Sequence, residues 1–267
     1  MDNNEQFEKK WAEAEKKNTG EEFSIFVSVG EKPLTQRQFN LFHFFEYIAG
    51  QAKEHKCKTA VEVGCGRGTI SLYLNKYLGM EVTATDVSDE AIELAQKNFD
   101  YHQGVGNIIK ADAEKLPFAD DTFNLAVSIG LVEHFEDYGR VYTEQYRVLK
   151  PGGVMISLNV PRKQSIQILN DIYRYFKKIS GSKLKKDYFR NTDKPDDYKK
   201  AAGTAGFQNV STFYVNSFPL FTPASSKTEK ILASLYNFIY RLRGLVMPYP
   251  FKGSKLLSQA HFLTAKK

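Results

Sequence analysis

The chain has 267 residues, 42% of them hydrophobic and 25% charged, which fits one large globular domain or a domain with a lid. Its 13% aromatic content, with 18 Gly and 9 Pro, excludes disordered, collagen-like and low-complexity classes. The net charge of +6 hides a split: residues 1–161 hold 17 Lys+Arg against 25 Asp+Glu, whereas residues 162–267 hold 20 against 6. The parts therefore carry −8 and +14. That division suggests an acidic or membrane-borne partner for the second part, with a solvated basic surface as the plain alternative. No uninterrupted run of 18 apolar residues occurs, so a spanning helix is not expected. Charged residues from Asp2 to Lys17 leave no apolar leader core. Two cysteines, Cys57 and Cys65, cannot build a disulfide framework, and a reducing cytoplasm is the expected compartment.

Residues 5–17 read as a short charged helix anchored by Phe7 and Trp11. A second helix is expected over about 35–55, where Phe39, Phe42, Phe45, Ile48, Ala49 and Ala52 recur at helical spacing. An alternating series follows. Thr59–Val63 is a strand ending in a Gly-rich turn, Thr69–Leu78 a helix, and Glu81–Thr85 a strand ending at Asp86. Ser88 can cap the next helix. Asn107–Ala111 is a strand, and Phe123–Ile129 is a nearly all-apolar one, as buried parallel strands tend to be. Tyr138–Leu149 is a helix, closed by Lys150-Pro151-Gly152-Gly153, and Val154–Val160 is the fifth strand. Strands alternating with helices predict a parallel sheet with right-handed crossovers.

The rhythm breaks after Val160. An amphipathic helix is expected over 162–180, then a Lys-rich loop, and a helix from Tyr198 to Ala205. Phe207–Val215 is a sixth strand and Leu256–Ala265 a seventh. About 40 residues separate those two, far beyond a hairpin loop and in the range of a lid or binding element. They carry a helix of their own, roughly Lys227–Val246.

The strongest chemical signal is Val61-Glu62-Val63-Gly64-Cys65-Gly66-Arg67-Gly68-Thr69, placed where the first strand meets the first crossover helix. Glycines there let the chain turn sharply and let a ligand approach the backbone. Asp86 ends the next strand, where a carboxylate can accept from both hydroxyls of a ribose. Together they indicate a nucleoside-containing cofactor. The third glycine of the dinucleotide pattern would fall at Thr69, and Glu62 beside the loop would repel a pyrophosphate but suit a cationic amino-acid moiety. Three further motifs follow in order: Thr85-Asp86-Val87-Ser88, Ala111-Asp112-Ala113-Glu114 with Leu116-Pro117-Phe118 behind it, and Leu149-Lys150-Pro151-Gly152-Gly153.

With these motifs the chain resembles the class I S-adenosylmethionine-dependent methyltransferases, in particular their small-molecule group, continuously over about 58–160. The resemblance implies a doubly wound, seven-stranded Rossmann-like sheet, strands one to six parallel and strand seven antiparallel, with helical lid inserts at about 162–200 and 217–255. Residues 1–57 would form an N-terminal helical cap and 58–267 the methyltransferase domain. The cofactor would be S-adenosylmethionine and its product S-adenosylhomocysteine. Glu62 and the backbone of Gly64, Cys65, Gly66 and Gly68 would hold the methionine part. Asp86 would take the ribose hydroxyls, Val87 would pack on the adenine, and Asp112 with the Ala113 backbone would meet the adenine amino group. Ser128 to Gly130 would lie under the sulfonium.

Methyl transfer from a sulfonium is an in-line displacement with a neutral leaving group, so a base is needed only where the acceptor is protonated. His134, just past the fourth strand, is the candidate base, and the plain alternative is a histidine packed under the cofactor and bonded to a backbone carbonyl. His43 is a second candidate; His55, His102 and His261 read as surface or strand residues. No metal-ligand spacing is present, and no metal is expected. The expected acceptor is an oxygen or nitrogen of a small or amphiphilic metabolite under the lid. An RNA methyltransferase and a non-catalytic cofactor-fold binding protein are the rivals. Nucleic acid is disfavoured because Asp187, Asp193, Asp196 and Asp197 dilute the Lys183–Lys200 run. The stretch 227–247 carries a wide apolar stripe with Lys230, Arg241 and Arg243 as basic residues, which suits either a lid helix or peripheral contact with an anionic membrane.

Overall fold

The alternation read over 58–160 is what the chain forms. β1 (Thr59–Val63), β2 (Glu81–Asp86), β3 (Asn107–Lys110), β4 (Phe123–Ile129), β5 (Leu149–Asn159), β6 (Gln208–Val215) and β7 (Ala260–Lys266) make one sheet in the order β3-β2-β1-β4-β5-β7-β6. β1 to β5 pair in parallel, and β7 runs antiparallel to both β5 and β6, so β6 shares the direction of the first five. This is the expected doubly wound sheet with its seventh strand reversed. Among the described residues the delimited helices are α1 (Gln36–Glu54), α2 (Thr69–Leu78), α3 (Asp89–Tyr101), α4 (Gly139–Val148) and α5 (Pro195–Thr204), with a 3-10 turn at Val132–His134. The computed structural model describes residues 24–161 except 32, 34 and 35; 179; 189–215; and, within 231–267, residues 231, 234, 235, 238, 239, 242, 243, 245, 246, 252, 253, 255, 258 and 260–267. The helix expected over 5–17, nearly all of that over 162–180 and much of the second insert lie outside these residues.

Three boundaries move by more than one residue from the sequence reading, two of them for a local reason. β5 begins at Leu149 because Pro-Gly-Gly is a bulge within the strand and not a turn before it. The register steps from Phe123 opposite Leu149 to Leu125 opposite Val154, with Gly152 at φ +79°. α5 begins at Pro195, which suits the first helical position, and the Asp197 carboxylate accepts from the Lys194 N–H. β7 begins at Ala260, four residues later than expected.

Side chains alternate between two cores, as a sheet covered on both faces requires. On one face Leu125, Val127, Ile156, Leu158 and Phe262 pack with Phe44, Phe45 and Ile48 of α1 and Ile70, Tyr73 and Leu74 of α2. On the other, Ala126, Met155 and Leu263 pack with Val141 and Tyr142 of α4 and Tyr198 and Ala202 of α5. The Phe45 and Tyr73 rings stack at 4.8 Å, and the Tyr73 hydroxyl accepts from the Val27 N–H, which ties segment 24–31 to the sheet domain. Strand order reverses between β1 and β4, so the crevice for a ligand opens at the carboxyl ends of those two strands.

Candidate active site

The glycine loop fills one wall of that crevice. After β1 the chain passes through Gly64, Gly66 and Gly68, with φ of +71°, +54° and +64°. A Cβ on Gly64 would lie 2.6 Å from Leu131 Cδ1, and one on Gly68 would lie 3.1 Å from Phe99 Cε2. The loop is therefore pressed between the turn after β4 and helix α3, with a backbone that only glycine adopts without strain. The Cys65 N–H donates to the Thr85 carbonyl at 2.8 Å, clasping the loop to the end of β2. Burial, then the Asp86 and Glu62 carboxylates, push the Cys65 thiol well up, so it is a filler and not a nucleophile.

Two buried carboxylates flank the loop. Glu62 Oε2 accepts from the Ser71 N–H at 2.8 Å and the Ser71 hydroxyl at 2.6 Å. Its burial outweighs those bonds and raises its pKa to about 7. Asp86 Oδ2 accepts from the Gly66 N–H at 2.9 Å and Oδ1 from the Ser88 N–H at 3.1 Å. A carboxylate oxygen carries two lone pairs, so it can accept from more than one donor. Val87 beside it is half-buried.

The remaining expected residues are more dispersed. Asp112 is exposed, and its Oδ1 accepts from the Glu114 N–H, forming an Asx turn that presents the buried Ala113. Ser128 is at the end of β4, but its hydroxyl donates to Ser157 Oγ at 3.1 Å on the α4/α5 face. Only its backbone is left for the crevice. His134 closes the 3-10 turn after β4 and is 4% exposed. Its Nδ1 is 2.6 Å from the Phe189 carbonyl oxygen. The same segment is fastened again by the Asn191 N–H to the Glu133 carbonyl at 2.8 Å and by the Tyr138 hydroxyl to Asp193 at 2.8 Å. The root of the first insert is thus tied to the turn that carries His134. His43 is on α1, beside Glu46 one turn on and against the Phe39 ring, away from this turn in sequence and in partners.

The loop also holds features the sequence reading did not single out. Arg67 Nε and Thr69 Oγ1 are two of the buried polar atoms that find no partner among the described residues. Burial, then repulsion from Arg37, lowers the Arg67 pKa to about 10. Unpaired buried polar groups are costly, and at the edge of a ligand crevice a bound ligand can satisfy them. A buried cation and a hydroxyl beside a carboxylate of raised pKa match a zwitterionic amino-acid moiety. The donor set therefore fits S-adenosylmethionine: Arg67 for its carboxylate, Glu62 for its ammonium, Asp86 for its ribose. The signal for Arg67 and Thr69 was their position at the N-terminus of α2, where free N–H groups already favour an anion.

Comparison with known proteins gives the family. A methyltransferase-domain family model matches residues 61–157. Demethylmenaquinone methyltransferase of Chlorobaculum parvum is 33% identical over 169 residues, 57% of this chain and 67% of that protein. A chloroplastic 2-methyl-6-phytyl-1,4-hydroquinone methyltransferase of Oryza sativa subsp. japonica is 43% identical over 101 residues, but these are only 38% of this chain and 30% of that one. In fold, a structure provisionally assigned as a sarcosine dimethylglycine methyltransferase of Galdieria sulphuraria superposes with a TM-score of 0.60 at 16% identity, over 100% of this chain and 98% of that one. The glycine loop, the two carboxylates, the strand order and these similarities agree: the chain belongs to the class I S-adenosylmethionine-dependent methyltransferases.

Proposed function

We propose that this methyltransferase acts on a small amphiphilic, hydroxyl-bearing metabolite, with His134 removing the acceptor's proton. The reading rests on the place of His134 in the turn after β4, beside the cofactor loop; its bond to the Phe189 carbonyl is also the one a packed structural histidine makes. A carbonyl oxygen only accepts, so the neutral ring keeps its proton on Nδ1, and Nε2 is the basic nitrogen. Bound S-adenosylmethionine supplies a methyl group on a sulfonium, which needs no acid to leave. The protein's tasks are alignment, exclusion of water and deprotonation of the acceptor. A 4%-exposed imidazole in a turn whose Leu131 touches the cofactor loop suits the last of these.

The acceptor class draws support from the relatives' names, which specify a demethylmenaquinone and a prenylated hydroquinone. Removing the proton from a phenol or hydroquinone enriches both its oxygen and the adjacent ring carbons, so one base serves O- and C-methylation alike. An amine acceptor would need the same base only in its protonated form. The test is methyl transfer from labelled cofactor to an alkylated hydroquinone, a catechol, a primary amine and bulk RNA. Label should enter the hydroxylated aromatics, and His134→Asn should slow transfer by roughly 100-fold while retaining cofactor binding. Label entering RNA alone, with a steep loss at high salt, or an unimpaired His134→Asn variant, would overturn the reading.

A further inference from the structure

The described residues of the second insert expose a band of large apolar side chains. Ile231, Leu235, Phe238, Ile239 and Leu242 are helical, and Leu245 and Val246 continue from them in a turn bonded back to Leu242 and Arg243. Their exposures run from 44% at Ile239 to 83% at Leu245. At 100° per residue the five helical positions fall within about 100° of one helix face. Single exposed apolar residues are ordinary, but five on one face with two more in the turn that follows are not. The surrounding sequence supplies the second half of the pattern. Residues 227–255 contain Lys227, Lys230, Arg241, Arg243, Lys252 and Lys255 against one carboxylate, Glu229. Lys252 and Lys255 are exposed.

We propose that this face docks on an anionic lipid bilayer, its apolar band entering the headgroup–acyl boundary and its basic residues meeting lipid phosphates. A helix with a wide apolar face and basic flanks lies in the interface plane. It does not cross: no helix among the described residues is long and apolar enough to do so. The charge selects the occupant. A second copy of this chain would bring two stretches of the same sign together, and a neutral apolar partner would offer the basic residues of the stretch no counter-charge. An anionic surface matches both features, and the stretch 227–255 lies within the part of the sequence, residues 162–267, whose formal charge is +14. The inference does not depend on the acceptor, because a bilayer-docked methyltransferase of any specificity would bind the same surface.

The experiment is co-sedimentation of the full chain with vesicles of phosphatidylcholine alone and of phosphatidylcholine mixed with phosphatidylglycerol. The chain should sediment with the anionic vesicles, remain in solution with the neutral ones, and be released by salt. The triple variant Leu235→Gln, Phe238→Gln, Leu242→Gln should lose roughly tenfold or more of that binding, with cofactor binding, measured by calorimetry, unchanged as the control for folding. Absence of sedimentation with anionic vesicles, equal sedimentation of the triple variant, or a concentration-dependent dimer that the same variant dissociates would each overturn the proposal. The last result would assign the face to a second copy.

Discussion

Glu62→Gln should make the cofactor-free protein more stable and a poorer binder of its cofactor. The carboxyl has an ordinary pKa of 4.5 and is raised to about 7 in the fold, with burial as the main cause. Below about pH 4.5 the group is protonated in both folded and unfolded chains and carries no penalty. As pH rises toward 7, the unfolded chain ionises while the folded one holds its proton, so stability from this group falls. Above about pH 7 the penalty is complete, and the gap from 4.5 to about 7 corresponds to about 3 kcal/mol. Glutamine keeps the acceptor for Ser71 and abolishes the titration. Its extra N–H adds a constant cost of ~1 kcal/mol that does not vary with pH. Urea denaturation of the variant and the wild type across this range gives the difference in unfolding free energy at each pH. That difference should swing by about 3 kcal/mol in the variant's favour on going from about pH 4.5 to about pH 7.5. Calorimetry near neutral pH should show cofactor affinity down by tenfold or more, from loss of a charged hydrogen bond. A pH-independent stability difference would refute the argument that burial of Glu62 is held in reserve for a cationic ligand.

His261 should act in the opposite sense. It is 1% exposed, bonds Asn159, and burial lowers its pKa from 6.5 to about 4. Its contribution is complete above about pH 6.5 and is lost as pH falls through 4, about 3 kcal/mol in all, which acid-unfolding curves of His261→Gln would lack. Asp86→Ala should weaken cofactor binding by roughly 1–3 kcal/mol through unpaired ribose hydroxyls, and calorimetry finding equal affinity would remove Asp86 from the site. Gly64→Ala should cost about 1–2 kcal/mol from the left-handed backbone alone. Because the new Cβ meets the mobile end of Leu131, a second change, Leu131→Ala, should relieve the contact but not the backbone strain. Arg147 joins Glu144 and Asp120 to the carbonyls of Leu116 and Phe118. Arg147→Ala should therefore loosen the loop before β4, read as faster amide exchange over 116–122 with little change in cofactor affinity.

The fold and the cofactor loop were legible because their signals are local. Gly64 to Gly68 must turn in place, Asp86 must end a strand, and the 2.0 and 3.6 periods write the alternation into consecutive residues. What escaped is non-local. The sequence allowed His134 a backbone carbonyl as partner, but nothing near it indicates that this carbonyl lies 55 positions away across an insert. Strand parity placed Ser128 at the end of β4 without telling which face its hydroxyl takes, and that face is Ser157's. Pro151-Gly152-Gly153 has the composition of a turn, and only pairing on both sides makes it a bulge. His261 is one of four consecutive residues, 260–263, that are all buried, so alternation could not distinguish a surface position from an interior one.

The position of β7 has a consequence for how the molecule is made. β6 occupies the end of the sheet and touches no strand but β7, and β7 alone joins it to β5. Residues 216–259 come between β6 and β7 in the chain. While a ribosome is still adding them, β5 has an open edge and β6 has no sheet to join. Five strands can zip together in order of synthesis, but the last two seams close at once, when residues 260–266 slide between strands already made. The time spent with that slot open scales with the insert. An insertion there would lengthen the interval in which a neighbouring chain's strand could take β7's place, and a break anywhere after residue 215 would cost two seams for the loss of one strand.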